Sequence, residues 1–234
     1  MCYNKNISIY TYILGLVSSY FLLINDKKSL KIIGCFFMII IQMQLVEYYL
    51  WSNNKCNNKN ITISNIGAFA NLIQPILLYL AIRYFTKDDE KDNGKDNGKD
   101  NGNNGNNGNI RNINIVIIIY IIVLIIFLIR ILPIGCSIKT PQSSPYLQWS
   151  WMYEKNPSYI FTYFPISIML LLYFGLDKPY NIYLSSLCIV SFILSFIIYR
   201  QQRAFANMWC WFAVFVPLFI LIYDKYFTDD TLIE

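Results

Sequence analysis

Histidine is absent from the chain. That excludes imidazole-based serine and cysteine triads, histidine-ligated zinc and a histidine proton switch. Charge is scarce as well. Charged residues make up 14% of the 234 positions, against roughly 25% in ordinary soluble domains. The six cysteines contain no Cys-x-x-Cys pair, so no thiolate metal site or redox motif is expected. Catalysis needs an activated nucleophile or a held metal. A lone carboxylate in apolar surroundings supplies neither, so no catalytic residue, metal or cofactor is assigned, and an enzyme is the least favoured reading. The net charge of +5 comes from basic residues scattered between apolar runs. A nucleic-acid partner would require a concentrated basic face instead.

What the chain does have is long hydrophobic runs, with 56% of residues hydrophobic. They are apolar all round, where a soluble helix would show one polar face. Seven are near the length of a membrane crossing: 7–24, 32–51, 61–85, 113–132, 158–176, 181–199 and 204–223. The expected fold is therefore all-α, a polytopic membrane protein with seven transmembrane helices and the lipid bilayer as its surroundings. The first run outlasts the ~7–15 residues of a signal-peptide core, and is read as a retained span. Residues 86–112 carry repeated Lys-Asp-Asn-Gly and Asn-Asn-Gly units with nothing apolar to bury, and are expected to be a disordered loop. The fourth run, 113–132, lacks the small residues that membrane helix interfaces favour, and reads as a peripheral helix. Residues 133–157 hold Tyr146, Trp149, Trp151 and Tyr153, which suit an aromatic belt at the membrane surface. Residues 229–234 form a short tail.

Call the N-terminal side of the membrane side A. Side B is the more basic, through Lys91, Lys95 and Lys99 of the repeat units, and the positive-inside rule places it in the cytoplasm. The N-terminus is then extracellular or lumenal and the C-terminus cytoplasmic. The sequons Asn6-Ile7-Ser8 and Asn60-Ile61-Thr62, and the loop cysteines Cys2, Cys56 and Cys136, all fall on side A. In an oxidising compartment Cys56 and Cys136 could pair, with Cys2 as a competitor.

Polar chemistry concentrates in the second run, where Gln44, Glu47 and Trp51 share a helical face at i, i+3 and i+7. A carboxylate inside a membrane helix is costly, at least ~2.5 kcal/mol, unless it meets protein or water, so it marks function by default. The third run answers with Asn65, Asn71 and Gln74, and the seventh with Asn207 and Trp211. These eight residues are the candidate ligand-binding set: a polar pocket open to side A and roofed by the two tryptophans. Pro75 and Pro217 interrupt the backbone ladders of their runs and are candidate hinges. A small-solute transporter or channel is the leading function. A receptor-like ligand sensor and a structural or membrane-remodelling protein are the alternatives.

Sliding the chain along itself until Pro75 meets Pro217 also aligns Asn65 with Asn207, and Arg83-Tyr84-Phe85-Thr86 with Lys225-Tyr226-Phe227-Thr228. Two three-helix units running in the same direction need an odd helix between them, and the fourth run fits that role. Units 1–85 and 158–228 would then flank the linker. This 3+1+3 plan resembles the sugar-efflux (SWEET) and PQ-loop transporters, which implies a solute held between the two units. The likeness is one of plan. The chain has Gln74-Pro75 inside a run, where that family carries Pro-Gln. The segments QMQLVEYYLW, NLIQP and MWCWFA resemble an uncharacterised polytopic membrane family of large DNA viruses, a resemblance that implies no particular activity.

Overall fold

The computed structural model describes residues 4–93, 104–141, 143, 145–153 and 158–227. Among them the chain forms α1 (Lys5–Leu23), α2 (Lys28–Ile40), α3 (Gln42–Ser52), α4 (Asn58–Leu72), α5 (Gln74–Asn93) and α6 (Asn104–Ile131). A two-stranded hairpin follows, β1 (Ile138–Lys139) with β2 (Leu147–Gln148), antiparallel with Ile138 opposite Gln148. Then come α7 (Ser150–Tyr153), α8 (Ser158–Gly175), α9 (Tyr180–Tyr199) and α10 (Phe205–Phe227). The protein is thus mainly helical. Five helices are long and apolar enough to cross a membrane: Lys5–Leu23, Lys28–Ser52, Gly108–Arg130, Tyr180–Tyr199 and Phe205–Tyr226.

The expected third span is broken. α4 and α5 meet at 42° across Ile73, and they make a sixth span if counted as one. Pro75 explains the break. It has no N–H to give the carbonyl four residues back, and its ring crowds that carbonyl. The fifth expected span is α8, whose apolar part, Tyr163–Gly175, reaches only about 20 Å at helical rise, short of a ~30 Å core.

α1 shows how the helices pack. Asn4 caps it, its side-chain oxygen accepting from the backbone of Asn6 and Ile7 at 3.0 Å. Its buried stripe is Ser8, Thr11, Gly15, Ser18 and Leu22, a small-residue seam that lets α2, α3 and α10 approach closely. Its other face exposes Tyr10, Ile13, Val17 and Phe21, as a lipid-facing surface would. α2 meets the α1 backbone at Gly34, where a Cβ would fall 2.6 Å from the Leu23 backbone nitrogen and 2.8 Å from the Ser19 carbonyl oxygen.

α6 is peripheral, as its composition implies. It packs on α8 and α5 through Ile113, Ile117, Tyr120, Leu124 and Phe127, while Ile118, Ile122, Ile125 and Ile129 face outward. Segment 86–112, expected to be disordered throughout, is helical at both described ends, to Asn93 in α5 and from Asn104 in α6. No glycine interrupts α5 before Gly94, so the helix runs on past its apolar residues. The middle of that segment, 94–103, and the tail 229–234 lie outside the described residues.

The two ends of the bundle are tied differently. At the end holding the start of α1, Cys56 and Cys136 form a disulfide with Cα atoms 5.4 Å apart. Beside it Asn60 is fully buried, its amide donating to the carbonyls of Asn53 (2.8 Å) and Ser137 (3.0 Å). This rules out Asn60 as an exposed glycan acceptor and weakens the sequon argument for side A. At the other end Lys27 pairs with Asp224 at 2.8 Å, the Tyr180 hydroxyl also donates to Asp224, and Ser29 donates to Asp177 at 2.9 Å.

Of the aromatic residues expected to form a belt, Tyr146, Trp149 and Trp151 turn inward, and the side chain of Tyr153 lies outside those described. Trp149 and Trp151 are buried and stacked, 5.0 Å between centroids, and Trp151 rests on Gly67 of α4. Burying two indoles against the bundle removes more apolar area from water than laying them on its rim.

Candidate functional site

Two pairs of polar residues meet between α3 and α10. Gln44 and Glu47 stand one turn apart on the inner face of α3, and Asn207 and Cys210 stand one turn apart on α10. All four are buried, Glu47 and Asn207 at 0% exposure. Asn207 Nδ2 donates to Glu47 Oε1 at 3.2 Å. α1 adds Thr11, whose hydroxyl lies 3.1 Å from Gln44 Oε1. α4 adds Asn71, whose Nδ2 lies 4.0 Å from Cys210 Sγ. The result is a polar seam joining four helices far apart in sequence. Its partners come from within the protein, which is how a carboxyl group is tolerated in an apolar core.

Six of the eight candidate residues belong to this seam or its roof. Gln44, Glu47, Asn71 and Asn207 form the seam. Trp51 and Trp211 are half-buried and both pack against the small cluster of Tyr146, Ala204 and Met208, so the loop segment 133–157 shares in the roof. Asn65 is not in the seam. It is half-exposed and donates to the Ile61 carbonyl of its own helix at 2.8 Å, as an amide does when its helix face turns away from polar neighbours. Gln74 is buried but follows the Ile73 break, and faces a different space.

That space is a cavity of about 50 Å³ between α2, α5 and α8–α10, lined by Gln74, Cys188, Ser191, Trp209 and Cys210 among apolar side chains. A second void, about 10 Å³, lies across Trp209 and Cys210 and is lined by Asn71, Trp149 and Phe164. Neither is lined by Gln44 or Glu47. Gln44 and Glu47 are themselves packed side chains in this structure, at 1% and 0% exposure. A wider hollow of about 240 Å³ lies on the surface beside the disulfide, lined by Ile138, Thr140, Gln148 and Ser150. Among the described residues no group of three or more metal-ligating side chains converges.

The two candidate hinges are not alike. Pro75 sits at the 42° break, whereas Pro217 is buried within the unbroken α10. Asn65 and Asn207, aligned by the same repeat, also differ in partner.

Two contributors were not anticipated from sequence. Thr11 belongs to the evenly spaced small residues of α1, a pattern that marks its inner face. Tyr120, fully buried in α6, donates to the Leu72 carbonyl at 2.6 Å, supplying a hydrogen bond where Pro75 interrupts the ladder. A single tyrosine in an isoleucine run carries no periodic signal. No family model, curated protein or solved structure matches this chain.

Proposed function

We propose that this is a seven-helix integral membrane protein whose buried seam around Glu47 serves a small polar or cationic solute, as a transporter or channel held in a closed form. In this reading the α4–α5 pair and α8 complete the seven crossings, and α6 is the linker between units 1–85 and 158–228. The observation that carries the proposal is the fully buried Glu47 carboxyl bonded to Asn207. It joins one unit to the other at the place where a solute between units would sit. The disulfide at the N-terminal end supports an extracellular or lumenal N-terminus and a cytoplasmic C-terminus, because such bonds persist in oxidising compartments.

A structural role is the second reading, favoured by the absence of Glu47 from either bundle cavity. Uptake into proteoliposomes, measured across sugars, amino acids and cations for wild type and Glu47→Gln, separates the two. Transport of one solute class that Glu47→Gln abolishes or slows at least tenfold supports the solute reading. No uptake of any class, with cysteines placed at positions 44 and 47 sealed from side-A thiol reagents, overturns it.

A further inference from the structure

The surface hollow of about 240 Å³ beside the disulfide has a chemistry apart from the seam. Its walls are Cys56, Cys136, Ile138, Thr140, Gln148 and Ser150. Gln148 is half-buried, and its Oε1 lies 3.1 Å from the Thr140 hydroxyl. Its amide nitrogen Nε2 has no hydrogen-bond partner among the described residues and is not sealed from solvent. One wall of the hollow thus carries an open donor.

The surroundings are basic. Lys55, Lys59 and Lys139 are exposed, and the fold gathers them here from two distant segments. Lys55 stands between Asn54, whose Oδ1 accepts from the Lys139 backbone N–H at 3.0 Å, and Cys56, bonded to Cys136. Lys59 precedes Asn60, whose amide donates to the Ser137 carbonyl at 3.0 Å. Neither of the segments that meet here, 52–62 and 132–153, contains an acidic residue. Glu154, which follows, lies outside the described residues. A lysine carries its charge on a flexible four-carbon stem, so three ammonium groups can close over the hollow from its edges. Charge of one sign around a concave wall concentrates ions of the other. The disulfide and the hydrogen bonds fix that wall in advance, so little ordering is required when a ligand arrives. The volume is below the ~300–1,000 Å³ of sites for drug-sized ligands, which limits the occupant to a small molecule.

We propose that the hollow beside Cys56 and Cys136 binds a small organic anion with two or more carboxylate or phosphate groups. Lys55, Lys59 and Lys139 hold it by charge, and Gln148 Nε2 donates to one of its oxygens. The site depends neither on the solute reading of the seam nor on which side of the membrane this end faces.

The test is isothermal titration calorimetry on the full-length protein in phosphatidylcholine nanodiscs, at about 0.15 M salt, where charges beyond ~8 Å are screened. Citrate and bisphosphoglycerate are the probes, and neutral trimethyl citrate is the control. At least one probe should bind at a single saturable site, and the two together show whether carboxylate or phosphate is preferred. Lys55→Gln with Lys139→Gln should weaken binding about fivefold or more, the scale of two exposed charge contacts. Arg200 and Arg203 are exposed at the same end, beside Tyr199 and Ala204, which pack with Tyr146. Arg200→Gln with Arg203→Gln removes as much charge away from the hollow, and should change affinity less than about twofold. Gln148→Glu keeps an acceptor for Thr140 and puts a carboxylate in the hollow, so it should weaken binding about tenfold. No saturable binding of either probe up to about 10 mM overturns the proposal. So does trimethyl citrate bound as well as citrate, a Gln148→Glu protein that binds as wild type does, or an arginine pair as damaging as the lysine pair.

Discussion

Replacing Glu47 by glutamine should leave its contact with Asn207 about as favourable as before. Asn207 gives its N–H to Glu47 Oε1 at 3.2 Å, while its own Oδ1 is buried without a partner. A carboxylate has only acceptors and cannot meet that oxygen. Glutamine has the same length and brings an N–H₂, so it can accept from Asn207 and donate back to it. At the Asn207 contact alone, one bond to a carboxylate, about 1.5–3 kcal/mol, is exchanged for two neutral ones of about 0.5–1.5 kcal/mol each. The difference should fall within about 1 kcal/mol of zero.

Glu47→Leu is the contrasting change. It leaves Asn207 Nδ2 buried and unmet beside the already unmet Oδ1, at an added cost of about 1–3 kcal/mol. The double variant Glu47→Leu with Asn207→Leu should recover part of the loss, because the Asn207 amide is no longer left unmet. The coupling energy should sit near the top of the membrane range, which averages ~0.6 and reaches ~1.7 kcal/mol. Denaturant unfolding in mixed micelles, followed through the five tryptophans, gives all three values. Were Glu47→Gln as damaging as Glu47→Leu, the reciprocal-amide reasoning would be wrong.

Gly34→Val should destabilise by about 1–3 kcal/mol, since the atoms in the way are the Leu23 and Ser19 backbone. Thermal unfolding reads it, and an unchanged midpoint would mean the α1–α2 approach is looser than described. Wild-type protein should migrate differently on gels with and without reductant, and Cys56→Ser with Cys136→Ser should abolish the shift. That double change should cost less than the ~4.5 kcal/mol that closing an 80-residue loop would imply for a free chain, because spans that stay inserted already restrict the unfolded state. Asn60 should carry no glycan, being enclosed by Asn53 and Ser137, so an Asn6→Gln variant should be insensitive to deglycosylation.

Much of the architecture could be read from hydrophobic runs, because their lengths and all-round apolarity match one physical task. The pairing of the Glu47 face with Asn207 was legible for a related reason: polar side chains one turn apart on two apolar helices have few places to go except toward each other. Direction was harder. Asn65 and Asn71 look alike in sequence, but one bonds its own helix and the other reaches Cys210. Which occurs depends on the rotation of α4 against its neighbours. Gln74 is displaced from the seam by the Ile73 break, so a proline recognised as a hinge also redirected a residue assigned to the pocket. The tryptophans of residues 133–157 suit a membrane rim or a protein interior equally well, and their burial depends on Gly67 leaving room for Trp151.

The prolines test the proposed repeat most sharply. If the two halves behaved alike, Pro75 and Pro217 should shape their helices alike, and they do not. The break at Ile73 is held from outside the first unit, by the Tyr120 hydroxyl on the Leu72 carbonyl. α6 therefore does more than connect. It braces the bent α4–α5 pair, and it does so from a helix whose described outer face is exposed and apolar. At one end of the bundle the covalent bond from Cys56 to Cys136 joins the α3–α4 turn to the segment that follows α6. At the other, Lys27 pairs with Asp224 and Ser29 bonds Asp177, tying the start of α2 to α10 and to the α8–α9 turn. An exposed pair contributes only about 0–1 kcal/mol, whereas a disulfide does not open thermally. If the two proposed units move against each other, the movement should be largest at the Lys27–Asp224 end, with the disulfide end as the pivot and the Glu47–Asn207 bond as the contact that must yield.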